Sequence, residues 1–497
     1  MNVTMFLDMA VEGFGDRVLI GRRGDGLSAP RLRELAGGGA RLIQRSGADA
    51  LLYLAVSGTA LPVALFAAAL AGVPLVPVNY RLGREQLDGL LARHPGALTI
   101  ADPELSPVSV PSAHPVRTPT QWLADAGAAG SPEESGDSAA PAVVIYTSGT
   151  TSAPKGVLLR HHNLVSYVLG TVEFGAAGAE EAALMSVPPY HIAAVSNVLT
   201  NLYAGRRVVA LPAFSPESWL RLVRDEAVTN AMVVPTMLAR IMEGEGLDRA
   251  VPSLRSLAYG GAKMPQRVIE QALREWPRVD FVNAYGLTET SSTISVLGPA
   301  EHRAAISAHD AAGRARLCSA GRVVPGIELE VRDDSGATVG PGISGRVWVR
   351  GEQVSGEYAG STRAVDERGF FDTRDSGRID EEGFLFIEGR VDDTIIRGAE
   401  NIAPAEIEDV LLRHPGVRDA VVVGVPDEEW GQRVEAVVVR APGVDIDADA
   451  LRGYVRGELR GSKTPARIAF WPELPRTATG KLVRRDVVAE LTYAEPT

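Results

Sequence analysis

Short apolar runs alternate with Ala/Leu-rich stretches across residues 35–110 and again across 181–325. LLYLAVSG (51–58) and VPLVPV (73–78) are two such runs. Strand-length runs separated by helix-length ones admit few architectures, because a parallel strand pair needs a crossover and the crossover helix covers the sheet. The pattern predicts an α/β fold with an open, largely parallel sheet, including strands near 207–211, 231–234 and 279–283. Leu61 to Val78 is the most apolar stretch and contains Pro62, Pro74 and Pro77. It reads as a buried helix followed by a strand, with a membrane span as the alternative. Residues 111–141 are rich in Pro, Ser, Ala and Gly and read as a loop or surface excursion, the one low-complexity segment. No internal repeat is visible.

After Gly326 the pattern changes to short alternating strands in IELEVRD, GRVWVRG and GFLFIEGR, a small β-rich subdomain. Beyond Arg390 a compact α+β unit follows. Its expected elements are a helix at 404–413, strands at 418–424 and 433–440, a helix at 446–460 and a tail carrying Lys481. The expected division is a large domain over 1–391 and a small domain over 392–497.

Composition excludes several classes. The 497 residues carry 62 Asp+Glu against 50 Lys+Arg, a net charge of −12, which argues against nucleic acid or an anionic membrane as the main partner. One cysteine, Cys318, allows neither an intrachain disulfide nor a Cys-based zinc site and fits a reducing, cytoplasmic setting. Cys318 reads as buried filler. The N-terminal MNVTMFLDMAVEG has no basic leader before an apolar run, so no signal peptide is read.

Of the 50 basic residues, 46 are Arg and 4 are Lys: Lys155, Lys263, Lys463 and Lys481. In a chain so biased to Arg, a retained Lys is either chance retention or a place where a compact, mobile point charge serves better than a planar guanidinium. Lys155 ends the loop Thr147-Ser148-Gly149-Thr150-Thr151-Ser152-Ala153-Pro154-Lys155-Gly156, which follows the apolar run Val143–Tyr146. Hydroxyls and backbone N–H groups of such a loop can wrap phosphate oxygens while the Lys adds charge. It is not a Walker loop, since G-x-x-x-x-G-K-[ST] is absent. The chain is expected to resume as a helix near His161. A second loop, Asn283-Ala284-Tyr285-Gly286-Leu287-Thr288-Glu289-Thr290, follows the strand RVDFV, where ligands dock in open α/β sheets. Tyr285 offers a flat face for a purine, Thr288 a phosphate donor and Glu289 a carboxylate for Mg²⁺. The plain alternative is a strand-to-helix turn capped by Thr288.

YTSGTTSAPKG, NAYGLTET, GRVDDTIIRGAENIAPAEIE and PRTATGK, in that order and spacing, resemble the adenylate-forming acyl-CoA synthetase superfamily. It includes acyl- and aryl-CoA ligases, luciferases and adenylation domains of peptide synthetases. The resemblance spans nearly the whole chain. It implies a large N-terminal domain and a small mobile C-terminal domain, with ATP/AMP, Mg²⁺ and coenzyme A as cofactors. The reaction it implies makes an acyl adenylate and then a thioester. By motif position, Thr147, Ser148, Gly149, Thr150, Thr151 and Lys155 hold the ATP phosphates. Gly261 and Ala262 pack on the adenine and Tyr285 stacks on it. Thr288 contacts the α-phosphate and Glu289 binds Mg²⁺. Asp375 matches the ribose-binding Asp, Arg390 the Arg beside it, and Asp392 the hinge. Lys481 matches the lysine that approaches the carboxylate and α-phosphate. His191 matches the gate of the acyl pocket, and Gly398, Ala399, Glu400 and Asn401 the loop lining the thiol tunnel.

The resemblance leaves points open. Ser152, Arg374 and Ala399 stand where the family usually has Gly, which restricts close backbone approach and φ > 0. One reading is harmless variation; another is weak adenylation with thioester formation from a preformed adenylate. The thiol is CoA or a carrier-protein phosphopantetheine, though no carrier motif follows residue 481. A non-catalytic nucleotide-binding protein is the third reading. The expected acyl pocket lies near His191, Val233-Val234-Pro235-Thr236 and Gly260-Gly261. Its small apolar residues favour a hydrophobic acid (fatty, aryl or polycyclic, as in secondary metabolism). Lys463 reads as either a CoA-phosphate ligand or a helix cap, and Trp430 as either a CoA-adenine platform or a packed surface Trp. Lys263 reads as structural, and His161 and His162 as surface residues. A homodimer is the oligomeric state that the resemblance implies.

Overall fold

The computed structural model describes residues 1–105, 114–130, 140–147, 154–398, 400–459, 461–477 and 480–493. The chain packs as two compact units: Met1–Glu328 with Val349–Phe371, and Leu329–Trp348 with Asp372–Thr497. Residues 372–391 therefore pack with the C-terminal segment.

In the first unit, β1 (Val18–Ile20) and β2 (Leu27–Ser28) form an antiparallel pair. β3 (Leu51–Leu54), β4 (Leu75–Pro77), β5 (Leu98–Ala101), β6 (Pro141–Thr147) and β7 (Lys155–Arg160) form one sheet, ordered β5-β3-β4-β6-β7. β8 (Ala182–Met185), β9 (Arg207–Ala210), β10 (Asn230–Val233), β11 (Ser256–Gly260), β12 (Asp280–Leu287), β13 (Ser292–Leu297) and β14 (Arg322–Val323) join β1 and β2 in a nine-stranded sheet. Its order is β14-β13-β12-β11-β10-β8-β9-β1-β2. The run from β12 through β11, β10, β8 and β9 to β1 is parallel. Such strands read as continuous apolar runs because helices cover both faces.

The apolar stretch after Leu61 forms the helix Ala60–Ala71 and then β4, with Leu61, Val63, Leu65 and Phe66 at most 1% exposed. No helix among the described residues is long and apolar enough to cross a membrane. The excursion expected over 111–141 contains a helix, Pro119–Ala129. Thr118 and Gln121 close a capping box at its start, and Trp122 is fully buried. The helix Ala29–Ser46 accepts it through glycines: a Cβ at Gly38 would lie 1.8 Å from the Ala126 carbonyl oxygen. A side chain there would push the two helices apart.

Two further expectations change. The chain after Pro154 does not pass straight into a helix; β7 intervenes, and the helix begins at His161. The loop after RVDFV is not a strand-to-helix turn. β12 runs through Leu287, a single 3-10 turn covers Thr288–Thr290, and β13 returns antiparallel.

The second unit carries the sheet β15 (Glu328–Arg332), β16 (Gly345–Arg350), β17 (Phe371–Ile379) and β18 (Leu385–Arg390), in that order. A hairpin of β19 (Ile395–Arg397) and β20 (Glu400–Ile402) follows. The expected helix lies at Pro404–Arg413. β21 (Val417–Asp427) and β22 (Gly431–Arg440) pair antiparallel, and β23 (Arg467–Phe470) runs parallel to β22. The helix Ala448–Glu458 covers a core that includes Ile407, Val410, Val422, Val438 and Val455. The C-terminal helix Arg484–Tyr493 is held by Arg484, which pairs with Glu408 at 2.6 Å and Asp393 at 3.2 Å.

Candidate active site

In the first unit the strand pair β6–β7 sets the base of the hydroxyl-rich loop. Thr147 and Lys155 face each other in register, and the Thr147 hydroxyl donates to the Lys155 carbonyl at 3.5 Å. Ser148, Gly149, Thr150, Thr151 and Ser152 lie outside the described residues. Arg93 donates to the Pro154 carbonyl at 2.9 Å, and His94 shares a 2.8 Å hydrogen bond with the Tyr146 hydroxyl. Burial pushes the His94 imidazole below its usual pKa. Both residues brace the loop from a separate segment and carry no motif of their own.

The Thr288–Thr290 turn comes to the same place. The Thr290 hydroxyl accepts from the Leu287 amide at 2.9 Å and donates to the Ser292 carbonyl at 2.8 Å. Gln353 donates to the carbonyls of Thr290 and Thr293 at 3.0 and 2.8 Å. Gly286 is required: a Cβ there would lie 1.8 Å from the Ser292 carbonyl oxygen. The Glu289 carbonyl accepts from the Ser355 amide at 2.8 Å, and the Glu289 carboxylate accepts from the Tyr358 hydroxyl at 2.9 Å. The Lys155 ammonium lies 5.9 Å from the centroid of the same Tyr358 ring. Tyr358 thus touches both the expected phosphate lysine and the expected metal carboxylate. Arg160 grips Glu357 through two hydrogen bonds of 2.7 and 2.8 Å, holding this segment on β7 and the Glu357 carboxyl below its usual pKa.

The residues of the expected purine platform lie on or beside β11 and β12. Gly260 and Ala284 pair in register across β11 and β12, so Gly261 and Ala262 emerge beside Tyr285. Gly261 holds φ at +82°, and a Cβ there would lie 3.9 Å from Val234. The expected acyl-pocket segment thereby borders the platform. His191 caps the helix Ile192–Ala204, its Nδ1 accepting from the Ala193 amide at 3.2 Å. Burial pulls its pKa down to about 4, so the ring is neutral at pH 7. Ser196 of that helix donates to the Ser291 carbonyl at 3.2 Å, fastening it to the acidic turn.

In the second unit, Asp375 and Arg390 pair in register across β17 and β18, and the guanidinium lies 3.1 Å from the carboxylate. Asp375 is 5% exposed and its amide donates to the Thr373 hydroxyl at 3.1 Å. Arg374 holds φ at +60° and reaches Asp392 at 3.3 Å. It therefore occupies the left-handed backbone region that the family's usual Gly would favour. Gly398, at φ +61°, turns the β19–β20 hairpin and donates to the Trp430 carbonyl at 2.7 Å, with Glu400 opening β20. Ala399 lies outside the described residues, as does the side chain of Asn401. Lys481 is exposed at the end of a tight turn. Its amide donates to the Thr477 hydroxyl at 3.0 Å, and the Thr477 amide donates back to its carbonyl at 2.7 Å. Arg476 closes the turn by donating to the Gly480 carbonyl at 2.9 Å and pairing with Asp419 at 2.8 Å.

Residues with open readings are placed as well. Lys463 pairs with Glu406 of the helix Pro404–Arg413 at 2.5 Å. Trp430 is 43% exposed, with the Arg397 guanidinium 4.7 Å from its ring centroid. His161 is not a surface residue: it is 3% exposed, accepts from the Val3 amide at 3.4 Å, and burial lowers its pKa to about 4. His162 and Lys263 are exposed. Cys318 is only partly buried, 3.7 Å from Gln266.

No cluster of three or more His, Cys, Asp or Glu side chains among the described residues could hold a metal unaided. A single carboxylate such as Glu289 suits Mg²⁺, which keeps waters and takes substrate phosphate oxygens as its other ligands.

Residues 8–359 match the family model for the AMP-binding enzyme, and residues 406–481 match that for the AMP-binding enzyme C-terminal domain. The chain is 34% identical over 458 residues to the fatty acid–[acyl-carrier-protein] ligase ScoC of Streptomyces coeruleorubidus, covering 88% of this chain and 86% of that one. It is 35% identical over 448 residues to a feruloyl-CoA synthase of an Amycolatopsis species, covering 88% of each. The o-succinylbenzoate CoA synthetase of Bacillus subtilis, solved with its acyl-adenylate intermediate, superposes with a TM-score of 0.84 at 27% identity over 97% of each chain. The same enzyme solved with ATP and magnesium ion gives 0.83 at 27% identity, over 97% of this chain and 98% of that one.

Proposed function

Because the chain belongs to the AMP-binding enzyme family, we infer that it is an ATP-dependent, AMP-forming acid–thiol ligase. The observation that carries this reading is the convergence of Lys155 and Glu289 on Tyr358, with the cation at its ring and the carboxylate at its hydroxyl. A carboxylate has no adequate leaving group for thiol attack. In the first step its oxygen attacks the α-phosphorus of ATP, and the bond to pyrophosphate breaks. In the second, a thiol sulfur attacks the acyl carbonyl of the adenylate, AMP leaves, and the thiol proton is released.

Lys155 and the hydroxyls of its loop hold the triphosphate, and Glu289 holds Mg²⁺. When bound, the ion neutralises charge on the phosphate oxygens. Gly261, Ala262 and Tyr285 frame the purine. Asp375 accepts the ribose hydroxyls, its carboxylate oriented by Arg390. Thr288 donates to the α-phosphate. Lys481 supplies the mobile cation at the reacting carboxylate and α-phosphate, where negative charge accumulates. The two steps need different surroundings and exclusion of water from the adenylate. The segment from Asp392 onward moves between them, presenting Lys481 for the first and the Gly398–Glu400 turn for the second.

The acid is hydrophobic: the segment beside Gly261 is Val233-Val234-Pro235, and burial keeps His191 neutral. The thiol is CoA, with a carrier-protein phosphopantetheine as the second reading, because the relatives include ligases of both kinds. Arg374 is compatible with full two-step activity, since it holds the left-handed backbone within β17 just before Asp375. The test incubates the enzyme with MgATP, a panel of fatty and aryl acids, and either CoA or a carrier protein, with thioesters read by mass spectrometry. Acid-dependent acyl-CoA supports the reading; thioester on the carrier alone moves it to the second; AMP release with neither thiol overturns both.

A further inference from the structure

We propose that Tyr358 is a positioning residue for adenylate formation, holding the Glu289 carboxylate for Mg²⁺ while its ring carries the Lys155 ammonium. The proposal rests on the assignment of Glu289 to the metal and Lys155 to the triphosphate. Two contacts made by one side chain motivate it: the hydroxyl donates to Glu289 Oε1 at 2.9 Å, and the ring centroid lies 5.9 Å from Lys155 Nζ. A cation within about 6 Å of a ring is attracted to its electron-rich face. A hydroxyl donating to one carboxylate oxygen fixes the orientation of the group and leaves the carboxylate its charge.

The backbone around Tyr358 is tied to both partners, so the contacts are built into the fold. Tyr358 bridges Val157 of β7, the Leu158 amide donates to the Glu357 carbonyl at 2.9 Å, and the Ala359 amide donates to the Gly156 carbonyl at 2.8 Å. On the other side the Ser355 and Gly356 amides donate to the Glu289 carbonyl at 2.8 and 3.4 Å. The doubly bonded Arg160–Glu357 pair pins the middle of the segment. Residues 355–359 thus brace the phosphate strand against the acidic turn. A purely structural tyrosine could pack its ring here without either polar contact.

The experiment separates metal from nucleotide. Mn²⁺ serves as a paramagnetic probe for Mg²⁺, and its binding to the enzyme with α,β-methylene-ATP is followed by EPR. Nucleotide binding without metal is measured by calorimetry. Tyr358→Phe keeps the ring and removes the donor. It is expected to weaken Mn²⁺ about 10- to 100-fold, the usual effect of losing a partner of a metal ligand. Metal-free nucleotide affinity should stay within about threefold, and the thermal midpoint should confirm an intact fold. Tyr358→Leu removes the ring as well and is expected to weaken metal-free nucleotide binding further. In a Glu289→Gln background Tyr358→Phe should add nothing, because both act through one carboxylate. If Glu289→Gln weakens Mn²⁺ and Tyr358→Phe does not, the proposal alone is overturned. If Glu289→Gln leaves Mn²⁺ binding unchanged, the metal assignment falls and the proposal with it.

Discussion

The Arg374 guanidinium lies 3.3 Å from the Asp392 carboxylate, and Arg374 reaches it from a left-handed backbone with φ +60°. Every residue but Gly pays about 1 kcal/mol for that conformation. The exposed ion pair returns at most about the same. Arg374→Gly keeps the left-handed backbone of β17 without strain, whereas Arg374→Ala keeps the strain and loses the pair. Thermal unfolding should therefore rank Arg374→Gly at or above Arg374→Ala. Adenylation by Arg374→Gly should stay within about threefold of the parent. A tenfold gain would show that Arg374 impairs the first step.

Lys481 sits at the end of a turn closed by Thr477 and Arg476. Lys481→Ala removes the cation and leaves the turn's backbone bonds. The expected loss is about 100- to 1000-fold in adenylation, the scale of one transition-state donor. Thioester formation from supplied acyl adenylate should fall only a few-fold. Equal losses in both steps would place Lys481 elsewhere in the mechanism.

Asp375 is 5% exposed and faces Arg390 across two strands. Asp375→Asn removes the charge proposed to accept the ribose hydroxyls. Hydrogen bonds to charged groups contribute about 1.5–3 kcal/mol, so KM for ATP should rise about 10- to 100-fold with KM for the acid little changed. Steady-state kinetics varying each substrate check this.

His161 and His191 have pKa values lowered to about 4 by burial, against about 6.5 in the unfolded chain. Between those values the unfolded state binds more protons, so stability rises with pH. Their penalty is absent above pH 6.5, grows as pH falls, and is complete below pH 4. Thermal midpoints should drop through this window. His161→Gln should flatten the slope, and a slope unchanged by replacing both histidines would contradict the assignment.

Much of the fold was legible because local pattern and tertiary role agree. The apolar run Val143–Tyr146 and the segment 404–413 formed as read. β7 was missed because KGVLLR has no polar punctuation before His161. β17 was missed because Asp372, Arg374 and Asp375 break its apolar alternation. The helix at 119–129 lay hidden in a Pro/Ser/Ala/Gly segment, although Thr118 and Gln121 spelled a capping box. Motif residues were readable because phosphate chemistry restricts residue type locally. Tyr358 was not, since its partners Lys155 and Glu289 are distant in sequence and the 355–359 segment brings them to one side chain. The burial of His161 likewise depends on Val3, far away in the chain.

Acid-dependent exchange of labelled pyrophosphate into ATP reports reversible adenylate formation without any thiol. With magnesium and a panel of fatty and aryl acids, brisk exchange is expected with at least one acid and is expected to be lost in Lys481→Ala. No exchange with any member of the panel, from enzyme that also fails to convert supplied acyl adenylates to thioesters, would contradict the proposed acid–thiol ligase function.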